Sequence, residues 1–381
     1  MQRLFNSFFV GGFECSTHRR SDGVRLDLLE ATGHARWSAQ DFAAMAASGI
    51  HTVRDGLRWH LIETRPGVYD WSSFLPMLRA ARRQGTQVIW DLCHYGYPDD
   101  IDIWRPEFVE RFARFAAAAA RVVQAEGETL PFYSPINEIS FWSWAGGDVG
   151  YFNPLSEHRG MELKHQLIRA SIAAIDAIRE IEPRARFVQA DPLINVVPAG
   201  SRGDEIDAAE GYRLAQFEAW DLLSGRQWPG LGGRPDYLDI LGVNFYPHNQ
   251  WVFNGPRVHR GEREYRPFHS MLKELHARYG RPILISETGA EDEERLPWFR
   301  YVTDQVSQAM RAGVPVQGIC WYPILDYPGW DDGRYCPTGL FGYADGEGQR
   351  APFHPLQTAI RESCDAFIHQ GLEAQIGHRS V

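Results

Sequence analysis

The chain has 381 residues, 44% hydrophobic and 23% charged, ordinary globular values that exclude a disordered chain, and no run approaches the roughly 18 apolar residues of a membrane span. Its 39 basic and 49 acidic residues give a net charge of −10, which works against sequence-independent binding to nucleic acid and fits a neutral substrate. At roughly 150 residues per domain the length admits two or three domains, or one large α/β barrel.

The first segment, Met1 to Gly12, carries Arg3 and an apolar patch from Leu4 to Val10. It lacks a small-residue cleavage site and reads as a first strand rather than a leader. From there short apolar runs alternate with longer helical patterns. The runs are Phe8 to Phe13, Ile50 to Asp55, Thr86 to Leu92, Phe132 to Asn137, Arg186 to Asp191, Leu238 to Tyr246, Pro282 to Glu287 and Val316 to Tyr322. The amphipathic segments lie near 39–48, 73–84, 106–126, 160–181, 204–224, 268–279, 294–312 and 354–368. Eight such pairs predict an α/β fold, a (β/α)8 TIM barrel. Ser38 with Asp41 marks one helix start, and Gly49, Gly280 and Gly313 mark helix ends. No linker composition interrupts the pattern, so residues 1–381 are read as one catalytic domain. The segments after strands one, four, six and eight (14–38, 138–159, 247–267 and 323–353) are long, and in such a barrel those loops build the C-terminal face where substrates bind.

Aromatic residues make up 13% of the chain, with 13 Trp, and many fall in loops, where rings stack on flat ligands, sugars included. The five cysteines, Cys15, Cys93, Cys320, Cys336 and Cys364, are odd in number and widely spaced. They read as reduced thiols and predict a cytoplasmic protein.

Two strand ends terminate in a carboxylate: Ser134-Pro135-Ile136-Asn137-Glu138 and Ile283-Leu284-Ile285-Ser286-Glu287-Thr288-Gly289. Either Glu alone is as compatible with a structural salt bridge as with chemistry, because a carboxylate beside a buried strand must be paired or used. Together, on strands four and seven, they face one another across the barrel mouth. Carboxylates about 5 to 5.5 Å apart suit double displacement at an anomeric carbon.

These residues resemble the retaining (β/α)8 glycoside hydrolases, most closely family 1, the β-glucosidase family, over Gly11 to about Pro355. Asn137-Glu138 resembles that family's acid/base motif and Ser286-Glu287-Thr288-Gly289 its nucleophile motif. Arg54 with Trp59 downstream, His94 after Trp90-Asp91-Leu92-Cys93, Gly242-Val243-Asn244-Phe245-Tyr246, and Trp321 resemble further strand-end elements in the family's order. The resemblance implies a retaining β-glycoside hydrolase acting on a small-molecule or oligosaccharide glycoside. Its site would comprise Glu138 and Glu287, supported by Arg54, His94, Asn137, Asn244, Tyr246 and Trp321. Transfer to an acceptor other than water, and a barrel that binds carbohydrate without turnover, are the alternatives. With no HExxH and no close His/Asp ligand spacing, neither metal nor cofactor is expected.

In physical terms, Arg54 and the Tyr246 hydroxyl are expected to keep Glu287 ionised with a low pKa, or else to form a polar pair of their own. A like charge about 5.3 Å away costs about 3 kcal/mol at a dielectric near 20, which would raise Glu138 by about two pKa units into general-acid range. Asn137 is expected to meet a sugar 2-hydroxyl or to cap the strand end, His94 to bind a hydroxyl or sit satisfied in the core, and Trp321 to offer a platform or pack in the core. Phe141, Trp142, Trp144, Tyr151 and Phe152 read as an aglycone wall or a self-packed loop. Glu291 to Glu294 reads as a solvated helix start, and His18-Arg19-Arg20 as a surface patch.

The family's Glu that grips the far hydroxyls is missing, since the corresponding string reads Asp326-Tyr327-Pro328-Gly329-Trp330. Asp331, Asp332 or Glu14 are the carboxylates placed to substitute.

Overall fold

The computed structural model describes residues 3–127 and 130–377. Eight parallel strands close into a barrel: β1 (Phe9–Gly12), β2 (Thr52–Gly56), β3 (Gln87–Asp91), β4 (Phe132–Ser134), β5 (Arg186–Pro192), β6 (Ile240–Asn244), β7 (Ile283–Thr288) and β8 (Val316–Trp321). Each pairs with its sequence neighbour, and β8 pairs with β1 through Phe9–Ile319 and Gly11–Trp321. The strand runs are nearly all apolar because both faces are covered. One face of the alternation, Val10, Ile89, Phe132, Val188, Ile240, Leu284 and Cys320, fills the barrel. The other, including Phe9, Val53, Trp90, Phe187, Leu241 and Ile283, packs outward with the helices.

The surrounding layer comprises α1 (His34–Ala47), α2 (Leu75–Gln84), α3 (Pro106–Ala125), α4 (Gly160–Arg179), α5 (Glu218–Leu223), α6 (Phe268–Tyr279), α7 (Arg295–Arg311) and α8 (His354–Gly377). Pro106 opens α3, where a missing N–H costs nothing, and Ala116, Ala119 and Ala120 on its buried face let it lie close to its neighbours. Gly280 ends α6 with φ 64°, a left-handed cap that a side chain would strain.

Two helix expectations change. The helix expected after Ser38 begins at His34, with its backbone broken at Trp37 (φ −108°, ψ 19°). The segment 204–224 is two helices, Gly203–Leu214 and α5, separated by a 3-10 turn at Ala215–Phe217. The first exposes most of its residues while α5 is almost wholly buried, so a change of direction at the turn serves both. The long loops gather on the C-terminal face; those after β5 and β6 pair through Asn195–Val197 and Gln250–Val252. Among the described residues no helix is long and apolar enough to cross a membrane.

Candidate active site

A cavity of about 1650 Å³ opens at the C-terminal ends of the strands. Glu14, His94, Tyr95, Glu138, Tyr246, Glu287, Tyr322 and Trp330 are among the residues that line it.

Glu287 reaches it through an irregularity in β7. Pairing with β6 shifts between Ile285 and Glu287, and pairing with β8 shifts between Ile285 and Thr288. Such a bulge re-aims side chains. Here Ser286 Oγ donates to Asn244 Oδ1 at 2.6 Å, while Glu287 points to the mouth at 5% exposure. Arg54 Nη1 donates to Glu287 Oε1 at 2.7 Å and Tyr246 Oη donates to Oε2 at 2.9 Å. Arg54 itself is wholly buried on β2. It grips Asp91 at the end of β3 through Nε and Nη2, at 2.9 and 2.7 Å, and donates through Nη2 to Asn137 Oδ1 at 2.6 Å. Burial disfavours its charge, but Asp91 and Glu287 more than restore it, so Arg54 remains a guanidinium.

Glu138 stands on the other side with left-handed backbone (φ 45°), a conformation a non-glycine residue holds only when its surroundings impose it. Its N–H donates to Ala190 O at 3.0 Å. Tyr95 Oη donates to Glu138 Oε2 at 2.5 Å and Asn244 Nδ2 to Oε1 at 2.9 Å. Tyr95 also has positive φ, 68°, and packs on Phe152 and Trp330.

The electrostatics differ from the sequence expectation in two ways. Glu287 is raised, not lowered: burial pushes its pKa up, Arg54 pulls it down, and Glu138 pushes it up again. The expected lowering counted the cation and omitted the loss of water. Glu138 is raised as expected, but burial leads; Tyr95 and Asn244 oppose it, and the carboxylate that adds to it is Asp191. The two glutamates share one cavity and feel each other's charge.

Of the supporting residues, Arg54, Asn244 and Tyr246 bond the two glutamates directly. His94 lines the cavity; its Nδ1 lies 3.1 Å from Asp91 Oδ2 and its Nε2 3.0 Å from Asn137 Nδ2, which a neutral ring protonated at Nδ1 satisfies. Asn137 does not line the cavity. Its Oδ1 accepts from Arg54, and its amide donates to Tyr95 Oη at 2.9 Å as well as to His94, so both of its protons are engaged within the protein. Trp321 does not line it either. Its ring packs on Phe299 in the layer under α7, and Nε1 donates to Thr338 O at 2.8 Å. Alternation along β8 sends the next ring, Tyr322, into the cavity instead. Trp59 is core, its Nε1 on Glu63.

The aromatic loop after Glu138 divides. Phe141 and Trp144 line the cavity, whereas Trp142 and Phe152 are buried and Tyr151 donates to Asp331 Oδ1 at 2.7 Å. His18 is not on the surface: it is 1% exposed and packs on Trp330 and Phe152. Arg19 and Arg20 pair with Asp99 and Asp22. The Glu291–Glu294 run lines the cavity rim, with Glu291 held by Arg334 at 2.7 Å. Asp331 and Asp332 lie outside the main cavity, and Glu14 lies within it.

Three residues escaped the sequence reading. Asp91 ends its strand as the two glutamates end theirs, a signal that was present but read only as context for His94. Tyr95 and Tyr322 each adjoin a residue singled out, and only backbone direction chooses between neighbours. Cys15 Sγ, Asp91 and His94 also lie within 4.8 Å of one another. These donors are engaged with each other and with the Arg54 guanidinium, and burial keeps the Cys15 thiol protonated.

No family model matches the chain. Beta-glucosidase 1B of Phanerodontia chrysosporium is 22% identical over 413 residues, covering 86% of this chain and 75% of that protein. The β-glucosidase from Thermotoga maritima in complex with glucoimidazole superposes with a TM-score of 0.76 at 15% identity, covering 94% of this chain and 98% of that one. The same organism's family 1 β-glucosidase gives 0.75 at 16% identity over 94% and 98%. The chain has the fold of the family 1 β-glucosidases. The β-glycosidase from Thermosphaera aggregans agrees, with a TM-score of 0.75 at 16% identity over 96% of this chain and 97% of that one.

Proposed function

We propose that the protein is a retaining β-glycoside hydrolase, one catalytic unit over residues 1–381, in which Glu287 is the nucleophile and Glu138 the acid/base. The observation that carries this is the unlike bonding of two carboxylates in one cavity. Glu287 has a guanidinium and a phenol on its two oxygens; Glu138 has a phenol and an amide and no cation. Burial raises both carboxyls, but the guanidinium on Glu287 opposes that rise by charge and Glu138 has no such bonded cation, so the proton rests more readily on Glu138.

In the first step Glu287 attacks the anomeric carbon, the bond to the leaving oxygen breaks, and Glu138 gives that oxygen its proton. In the second, Glu138 takes a proton from water, water attacks the same carbon, and Glu287 departs. With Glu287 esterified its charge is gone, so Glu138 ionises more readily when it must act as base. Arg54 stays paired to Asp91 throughout, so the cation does not drift as the nucleophile changes charge.

The β-glucosidase name of the curated relative and the glucoimidazole complex of one structural neighbour support a β-glycoside substrate. Buried thiols at Cys15, Cys93, Cys320 and Cys336 support the cytoplasm as its location. Transfer to an acceptor is the second reading, favoured by a cavity much larger than one sugar ring with Phe141, Trp144, Met161, Tyr212 and Trp251 on its walls.

Glu287→Gln and Glu138→Gln are each expected to lower kcat on aryl β-glycosides by at least about 10³-fold. A slow fluorinated glycoside should esterify Glu287, and the product should keep the β-anomer. Near-normal turnover in either variant, or an inverted product, would overturn the assignment.

A further inference from the structure

Tyr95 stands beside Glu138 with the direction of its own bonding already decided. The Arg54 guanidinium donates through Nη2 to Asn137 Oδ1 at 2.6 Å, which fixes the orientation of that amide. Asn137 Nδ2 therefore points its protons at Tyr95 Oη and His94 Nε2, at 2.9 and 3.0 Å. A phenol has a single proton. Having accepted from Asn137, Tyr95 Oη gives its own to Glu138 Oε2 at 2.5 Å. On the other oxygen Asn244 Nδ2 donates at 2.9 Å, its own Oδ1 taken by Ser286 Oγ. Among the described residues no Lys or Arg pairs with Glu138, so the Tyr95 hydroxyl is the route by which Arg54 reaches it. The backbone holds the phenol in place. Tyr95 has φ 68°, its carbonyl accepts from Asn153 Nδ2 at 2.9 Å, and a Cβ on the following Gly96 would stand 1.9 Å from Thr17 Oγ1. Its ring packs among Phe141, Trp142, Phe152 and Trp330, a box that a phenyl ring would fill as well without a hydroxyl.

We propose that Tyr95 is the positioning residue of the acid/base: its hydroxyl, aimed by Arg54 through Asn137, orients the Glu138 carboxyl and stabilises the carboxylate that forms as its proton passes to the leaving oxygen. This rests on the glycosidase reading of Glu138 and Glu287. In the first step the bond from the anomeric carbon to the leaving oxygen breaks, the Glu138 proton goes to that oxygen, and Tyr95 keeps its own. Burial and the charges of Glu138 and Glu287 hold Tyr95 as a phenol throughout. A hydrogen bond to an ion is about twice as strong as one between neutral groups, so the bond gains strength as Glu138 becomes charged. That gain belongs to the transition state rather than to substrate binding. The same bond opposes burial in setting how tightly Glu138 holds its proton. The titratable groups facing that carboxyl are His94 and Tyr95 after β3, Asp191 at the end of β5, Tyr246 after β6 and Glu287 on β7. Of these, Tyr95 alone hydrogen-bonds it.

The test compares the full chain with its Tyr95→Phe variant on aryl β-glycosides whose leaving groups run from phenol to dinitrophenol. With phenol, which needs a proton to depart, kcat/KM should fall about 10- to 100-fold, the worth of a hydrogen bond to a charged group. With dinitrophenol, which departs as an anion, the loss should nearly vanish. The basic limb of the kcat/KM profile for the phenyl substrate should move to higher pH, because a donor that favoured the carboxylate is gone. Replacing Tyr95 by a ring-fluorinated tyrosine, a stronger donor of nearly the same shape, should move that limb to lower pH, and it carries the test if Tyr95→Phe does not fold. An equal loss with every leaving group, or a basic limb unmoved in these variants, would overturn the proposal and leave the hydroxyl a structural role. Leaving-group dependence in Glu138→Gln without any in Tyr95→Phe would also overturn it while keeping the glycosidase reading. Near-normal turnover in Glu138→Gln would instead remove that reading, and the role of Tyr95 would fall with it.

Discussion

At the end of β5, Asp191 is 1% exposed and accepts from Ser140 N and Oγ at 3.0 and 2.7 Å. Burial pushes its pKa up to about 7, and its charge in turn raises Glu138. It does not line the cavity, so it acts on the reaction only through Glu138 and the start of the loop that carries it. Replacing Asp191 by Asn removes a charge that holds the proton on Glu138. The basic limb of the kcat/KM profile should therefore move to lower pH, with the acidic limb and KM little changed. A uniform drop at all pH would indicate a structural role alone. The same scale explains which site residues could be read in advance. Glu138, Glu287, Arg54 and Tyr246 are polar groups closing apolar runs, and a polar group there must point into the mouth or remain unpaired. Trp321 and Tyr322 are both rings at one strand end; alternation sends one to Phe299 and the other to the cavity, and a shift of one residue exchanges them.

Among the elements, α1 is held by a buried charge cluster. His34 lies between Asp41 on its own helix and Asp55 on β2, at 2.8 and 3.0 Å, and stacks on Phe13. Arg350, which opens the short strand Arg350–Pro352 before α8, grips Asp41 at 2.6 Å. Burial disfavours the imidazolium, yet Asp55 and Asp41 outweigh it and raise His34 to about 9. A raised histidine stabilises the fold fully below its unfolded value near 6.5 and loses that contribution as pH rises through the folded value. The difference is worth about 3 kcal/mol. The Tm is accordingly expected to fall by several degrees between pH 6.5 and 9.5, and His34→Gln should lower Tm at pH 6.5 and flatten that fall; an equal slope in both proteins would contradict it. This cluster also explains why Ser38 misled as a helix start. His34 reaches Asp55 only if the helix begins earlier, and partners distant in sequence leave no local signal. The break within 204–224 has the same origin, since one amphipathic pattern cannot report that its second half turns inward.

For the molecule as a whole, closure is the governing fact. β8 completes the ladder between β7 and β1, so removing it exposes two apolar edges at once. A chain ending at Gly313 should elute as aggregate on size exclusion, whereas the full chain should elute as a discrete species; a soluble, helical truncated chain would count against closure as the source of stability. Eight apolar runs between amphipathic segments, two of them ending in glutamate, were enough to determine from sequence alone the barrel and the pair of acids at its mouth. Period and strand-end polarity are local properties, and burial acts on each segment alike. The tertiary structure alone decided that Glu14 rather than Asp331 or Asp332 enters the cavity, that Asn137 is engaged beneath it, that Tyr322 replaces Trp321, and that Glu287 is raised rather than lowered. Each depends on where a side chain points and how much water it loses, and those are set by neighbours that the chain brings together only on closing.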